Sequence, residues 1–200
     1  MRRSMAAALI LTVLLFGGAY LTTGGSAAQE PESGDDTAQE PSGQGRRDST
    51  VLLTVQDGDT AEEMALDAYL RGVVRGEMPA SFETEALRAQ AAAERTYVYH
   101  QLAAGRKEAH LDADVCTDPG CCSAWLSEEA AQEKWGDDFT AWEERIEDAV
   151  AATDGQVALY RGEPILAVFH SSSAGRTAEA GDVWSGDVPY LRSVDSPEGE

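Results

Sequence analysis

Hydrophobic residues recur most regularly between Met64 and Tyr99, MALDAYLRGVVRGEMPASFETEALRAQAAAERTYVY. Leu66, Tyr69, Leu70, Val73 and Val74 follow the three- and four-residue spacing of a helix with one buried stripe. Asp67, Arg71 and Arg75 fall off that stripe and can face water. Pro79 cannot continue a helix and biases Met78 away from helical angles, so the first helix ends near Glu77. A second helix is predicted from Ser81, a residue of the N-cap type, through ALRAQAAAERTYVYHQLAAG to Gly105, a helix-stop residue. The middle of this second helix, Ala86 and Ala89 to Ala93, is nearly all small side chains, which allow another backbone to approach closely.

The remaining pattern is mixed. Val51–Val55 reads as a strand closed by the turn-rich QDGDT, and residues 126–150 read as charged helix opened by Ser127. Trp125, Trp135, Phe139, Trp142 and Ile146 form an aromatic stripe there; core packing is the commoner use of such a stripe, and stacking on sugar faces is the other. Thr153 to Val168 alternates as a hairpin, with its turn at Arg161 to Glu163. The prediction is therefore α+β, a single domain over residues 50–200 with a helical segment and strand hairpins. Two segments precede it. Arg2 and Arg3 lead into an uncharged run from Met5 to Leu21, so residues 1–28 read as a signal anchor or a signal peptide cut near Ala28. Either way the domain is expected outside the cytoplasm, held by a single-pass anchor or secreted. Residues 29–49 are acidic, rich in Pro, Gly and Ser, and without a large apolar side chain, so a disordered linker is expected.

Charge narrows the partners. Against 36 acids stand 15 bases, a net −21, and Lys107 and Lys134 are the lysines. Such a surface is repelled by nucleic acid, which is excluded as a partner. The three cysteines, Cys116, Cys121 and Cys122, lie in one stretch, HLDADVCTDPGCC, behind His110. Three thiolates and an imidazole make a tetrahedral zinc set of the Cys3His kind. The spacing is not a standard finger pattern. A Cys116–Cys121 or Cys116–Cys122 disulfide in an exported chain, or free buried thiols, are the competing readings. If zinc binds, four protein ligands leave no open position, so its role is structural. On the pattern alone, Glu77 is a solvated carboxylate at a helix end.

The motifs say more. LDAYLRGVV, EMPASF and EALRAQAAAERTY, followed by FHSSSAGRT and VPYLRSVDSPE, resemble the successive blocks of the stage II sporulation protein D family of peptidoglycan lytic transglycosylases. They are also similar to the related amidase-enhancer proteins. The resemblance runs over roughly residues 50–200. It implies that Glu77 is the catalytic acid and that the substrate is peptidoglycan glycan, cleaved between N-acetylmuramic acid and N-acetylglucosamine to a 1,6-anhydro product. Strands stripped of their acidic stem peptides suit the charge of this chain best. It implies a substrate cleft holding Ser171, Ser173 and Thr177, with Tyr190 nearby. Arg95, whose charge beside Glu77 would lower that acid's pKa, is assigned to substrate contact or helix packing instead. It also implies a zinc site at His110, Cys116, Cys121 and Cys122. An apolar pocket of Met78, Phe82 and Tyr97 is expected to raise the pKa of Glu77, and no second carboxylate is required. Serine catalysis at Ser171 to Ser173 is discounted, because no nucleophile-elbow motif surrounds these residues. The alternative within the resemblance is a non-catalytic, glycan-binding enhancer of a cell-wall amidase. Three positions depart from the family pattern: Ala174 stands for a Gly, Glu94 for an Ala, and Cys121 for the His that zinc-binding members carry. Family members usually continue past Glu200, which implies a domain shortened at its C-terminus.

Overall fold

The computed structural model describes residues 47–197. The apolar segment over 1–28 and residues 29–46 of the linker lie outside them. Asp48 and Ser49, assigned above to the linker, are part of the fold: a short 3-10 turn spans Asp48–Thr50, and Asp48 is 2% exposed.

Strand β1 (Leu52–Asp57) turns at Gly58, whose φ of 56° suits a residue without a Cβ, and pairs antiparallel along its length with β2 (Thr60–Ala65). Strand β2 is a correction to the reading of Met64 and Ala65 as helix. Its residues through Glu63 are exposed, so they carry no alternation of apolar and polar positions by which a strand could be recognised. The chain enters helix α1 (Leu66–Glu77) where Leu66 N–H donates to Val51 O. Helix α2 runs Thr84–Ala104, and its N-cap lies two residues later than expected. Ser81 lies in the exposed turn after Pro79, where Phe82 N–H donates to Pro79 O, and Glu83 is the N-cap. Strand β3 (Val115–Cys116) adds parallel to β1, giving a sheet of order β2-β1-β3.

The expected third helix is two, α3 (Glu128–Trp135) and α4 (Phe139–Ala152), separated by a 3-10 turn that starts at Gly136, with φ 54°. Ser127 caps α3 by accepting from Ala130 N–H, as its position predicts. The hairpin is present but short: β4 (Leu159–Tyr160) and β5 (Glu163–Pro164) flank an Arg161-Gly162 turn. It is held to α2 by Ala158 N–H donating to Thr96 Oγ1 and by a hydrogen bond between His100 Nδ1 and Pro164 O. Strand β6 (Gly175–Arg176), helix α5 (Ala180–Val183) and strand β7 (Asp195–Ser196) complete the described chain.

The core lies where α1, α2 and α4 meet the sheet. Leu66, Tyr69, Leu70, Val73 and Val74, the stripe read from the sequence, are all 0% exposed and pack with Leu53, Val55, Leu87, Val98 and Ile146. Each such side chain contributes about 1.5–3 kcal/mol on leaving water, so this junction is firmly held. Among the described residues no helix is long and apolar enough to cross a membrane.

Candidate active site

Glu77 is the last residue of α1. Met78, at φ −127° and ψ 140°, leaves the helix as the following proline demands, and its N–H still closes on Val74 O. What lies against this helix end is set by two glycines. A Cβ on Gly72 would sit 2.0 Å from Trp125 Nε1, and one on Gly76 would sit 2.5 Å from Ala124 O. With glycine at both positions, the 124–126 backbone runs directly along α1, and Leu126 N–H donates to Gly72 O at 2.9 Å. That approach brings Ala124 N–H to Glu77 Oε1 at 2.6 Å. The other oxygen, Oε2, has no hydrogen-bond partner among the described residues.

Half-burial raises the Glu77 pKa above its ordinary 4.5, and the Ala124 hydrogen bond only partly offsets this. Among the described residues no cation opposes the shift. Arg75, two residues earlier, is held by Glu143 through a bidentate pair, with Nε donating to Oε2 at 2.7 Å. Glu77 borders a cleft of about 480 Å³ whose walls include Met78, Pro79, Ser81, Lys134, Trp135 and Trp142. The two tryptophans meet edge to face, with centroids 5.5 Å apart and planes at 77°. Two members of the aromatic stripe, Trp135 and Trp142, pack on the core and also wall the cleft. Trp125 is not part of it, being packed on α1 at Gly72. The expected pocket of Met78, Phe82 and Tyr97 keeps only Met78. Phe82 is 47% exposed, and Tyr97 turns its hydroxyl to Lys107 and Cys121 O.

Behind Glu77 lies a second carboxyl. Glu94, in the middle of α2, is 0% exposed. Gln90 Nε2 donates to its Oε1 and Ser123 Oγ to its Oε2, both at 2.9 Å. Burial first, then the nearby charges of Glu77 and Cys122, push its pKa up to about 8 against those two hydrogen bonds, so near neutral pH the group is mostly the neutral acid. Adjacent residues thus hold the two acids, Ala124 on Glu77 and Ser123 on Glu94.

The cysteine loop ends at this same point. His110, Cys116, Cys121 and Cys122 place one ligand atom each within 4.8 Å of one another, a cluster that could hold a metal ion. In tetrahedral zinc, ligand atoms bonded at about 2.0–2.3 Å sit roughly 3.5–3.8 Å apart, so the set needs only slight contraction. His110 Nδ1 is 2.9 Å from Ala113 O, which fixes the proton there and leaves Nε2 to face Cys122 Sγ at 3.4 Å. All three cysteines are free thiols. Burial pushes the Cys116 thiol up to about 12. Cys122 is half-buried, which alone would raise its thiol, but the Cys116 backbone, the ammonium of Lys107 3.6 Å away and a hydrogen bond from Tyr97 hold it below the ordinary value. The loop is anchored to the sheet: Thr54 N–H donates to Asp114 Oδ2, and Tyr69 Oη to Cys116 O.

The other expected site residues lie elsewhere. Arg95 does not reach the cleft. It is 0% exposed, its Nε donates to Asp48 Oδ2 at 2.7 Å, and its remaining donors go to Ala91 O, Thr153 Oγ1 and Val150 O. A guanidinium with every arm used inside the core packs helices and has none left for substrate. Ser171 is exposed, Ser173 Oγ donates to Ser196 O, and Thr177 Oγ1 accepts from Val194 N–H. Tyr190 Oη accepts from Leu166 N–H, and its ring tilts on Tyr160. None of these four borders the Glu77 cleft among the described residues. The residues that sequence reasoning missed are Gly72, Gly76, Ala124 and Glu94. The four-residue spacing of the glycines was a visible signal; Ala124 acts through its backbone and had none.

Comparison with known proteins agrees with the motifs. The family model described as Stage II sporulation protein (SpoIID) matches residues 55–160. Stage II sporulation protein D of Bacillus amyloliquefaciens and that of Bacillus subtilis (strain 168) are each 36% identical to this chain over 138 residues, 69% of it and 40% of their own length. The amidase enhancer of Bacillus subtilis (strain 168) is 34% identical over 122 residues, 61% of this chain and 14% of that protein. This chain therefore spans about two fifths of the stage II sporulation proteins it matches. It belongs to the stage II sporulation protein family.

Proposed function

We propose that this protein is a lytic transglycosylase that cleaves peptidoglycan glycan strands in cell-wall remodelling linked to sporulation, with Glu77 as its acid and base. One observation carries the reading: a half-buried carboxyl with a raised pKa and one free oxygen stands at the wall of an aromatic-sided cleft. Protonated Glu77 donates to the glycosidic oxygen as the bond from C1 of the muramyl sugar breaks. The carboxylate then takes the proton from that sugar's C6 hydroxyl as its oxygen bonds to C1. The products are a 1,6-anhydro sugar and a free chain end, and no water is consumed. Because the nucleophile comes from the substrate, one carboxyl suffices where ordinary glycosidases use two. The raised pKa shifts Glu77 toward the proton-donating form. Trp135 and Trp142 offer ring faces to the sugars. A longer strand would reach beyond the cleft, where Ser171, Ser173 and Tyr190 would be its further partners; Thr177 is buried, with its hydroxyl bonded to the Val194 backbone.

His110, Cys116, Cys121 and Cys122 would hold zinc. With four protein ligands the ion would brace the loop that ends at Ala124 and would take no part in the chemistry. Chelation should therefore lower the melting temperature together with activity; a chelated protein that keeps its melting temperature while losing turnover would refute a structural ion. The N-terminal apolar segment would hold the domain at the outer face of the membrane. The enzymatic test uses the full chain in detergent and glycan strands freed of stem peptides, with products read by mass spectrometry. Wild type should release anhydro ends and Glu77→Gln should not; undiminished anhydro product from Glu77→Gln overturns the assignment. The similarity to an amidase enhancer supports a second reading, a glycan-binding partner of a cell-wall amidase. That reading predicts no anhydro product from wild type and faster stem-peptide release when the chain is added to the amidase.

A further inference from the structure

The Ser123–Ala124 segment touches both acids, and only one of them faces the cleft. Glu94 has no exposed surface and, among the described residues, no cation beside it, yet both its oxygens are used, by Gln90 and by Ser123. A buried acid at this position costs stability unless its hydrogen bonds hold something in place. Ser123, the residue it holds, is itself buried and joins directly to the amide that grips Glu77 at 2.6 Å. The other side of that backbone is fixed by the glycine face of α1. The segment is thus clamped between two helices, at Gly76 on α1 and at Glu94 on α2.

We propose that Glu94 is a positioning residue for Glu77, acting through the Ser123 hydroxyl to aim the Ala124 N–H at the Glu77 carboxylate. The catalytic part of this claim rests on the reading of Glu77 as the proton-transferring acid. Near neutral pH Glu94 is mostly the neutral acid, so an amide of the same size replaces it with little change in hydrogen bonding. Alanine removes both hydrogen bonds and leaves Ser123 Oγ and Gln90 Nε2 unpaired in the core.

The test uses the full chain labelled with 15N-alanine, with the Ala124 amide identified by its loss in Ala124→Gly. The Ala124 proton should move as Glu77 titrates, and Glu77→Gln should abolish the movement. Glu94→Ala and Ser123→Ala should each reduce that movement at least about twofold and lower kcat about 10-fold or more with KM nearly unchanged, and Glu94→Gln should restore both. Should Glu94→Ala fail to fold, Ser123→Ala decides alone. The proposal is overturned if Ser123→Ala or a folded Glu94→Ala leaves the Ala124 response unchanged, or if Glu94→Gln loses as much as Glu94→Ala. If wild type forms no anhydro product, the catalytic reading fails, while the Ala124 response still decides whether Glu94 positions Glu77.

Discussion

The cleft-facing end of α1 and the sealed middle of α2 carry the same side chain under different constraints. Glu77 has one oxygen held and one open to a cleft; Glu94 has both held and no exposure. Burial raises the pKa of both, but only Glu77 lies where a substrate oxygen could approach its proton. A shifted pKa alone would have favoured the wrong acid, and access decides between them. The comparison breaks most sharply on activity. Glu77→Gln should lower turnover about 10³-fold, the scale of a lost general acid, while the melting temperature moves by only a few degrees. If Glu94→Gln caused the larger loss, the two acids would have to exchange roles.

The pH dependence of stability reads the sealed side. In the folded protein Glu94 keeps its proton to about pH 8, whereas in the unfolded chain it loses it near the ordinary 4.5. Between those values the unfolded state binds fewer protons, so stability falls as pH rises, by about 1.4 kcal/mol per pH unit from this group. The contribution is fully present below pH 4.5 and lost above about 8. Glu94→Gln should flatten this decline in denaturant titrations at pH 5 to 8. An unchanged slope would mean that Glu94 is ionised inside the fold.

How much of this was legible in the sequence follows the distance between partners. The α1 stripe and its end at Glu77 are written within a dozen residues, because spacing and a proline are local signals. The four metal-ligand candidates were legible for the same reason, lying within thirteen residues of chain. The Arg95–Asp48 pair joins the middle of α2 to what reads as linker, and only the fold brings the two together. Glu94 meets Ser123, 29 positions away, and Ala124 uses a backbone amide that every residue but proline has. Strand β2 was hidden because it is a solvated edge without a buried face, so its pairing to β1 is stated by the Gly58 turn alone.

Gly76 joins the two sides and offers a smaller perturbation. A Cβ there would meet a backbone oxygen at 2.5 Å, and backbone cannot swing aside as a long side chain can. Gly76→Ala should destabilise by about 1–3 kcal/mol and lower kcat, because whichever chain yields, the Ala124 N–H leaves Glu77. Exposure alone would suggest the opposite, since Gly76 is exposed and alanine favours helices. A stabilised, fully active Gly76→Ala would show that the 124–126 segment is not held against α1.

The smallest expected effect lies at Trp142, which belongs to both regions at once. Its ring packs on the core, meets Trp135 edge to face, and walls the cleft opposite the acid's helix end. Trp142→Ala would confound binding with cavity formation, so the informative change is Trp142→Phe, which keeps an apolar ring and removes part of the platform. If the tryptophan serves a sugar face, KM on glycan strands should rise about two- to fivefold with kcat and the pH profile unchanged, because stacking a ring on a sugar stabilises bound substrate and transition state alike. If it serves only the core, KM should stay put and the melting temperature should fall. The pair of readouts therefore assigns Trp142 to the cleft or to the interior by the same criterion, access to substrate, that separates Glu77 from Glu94.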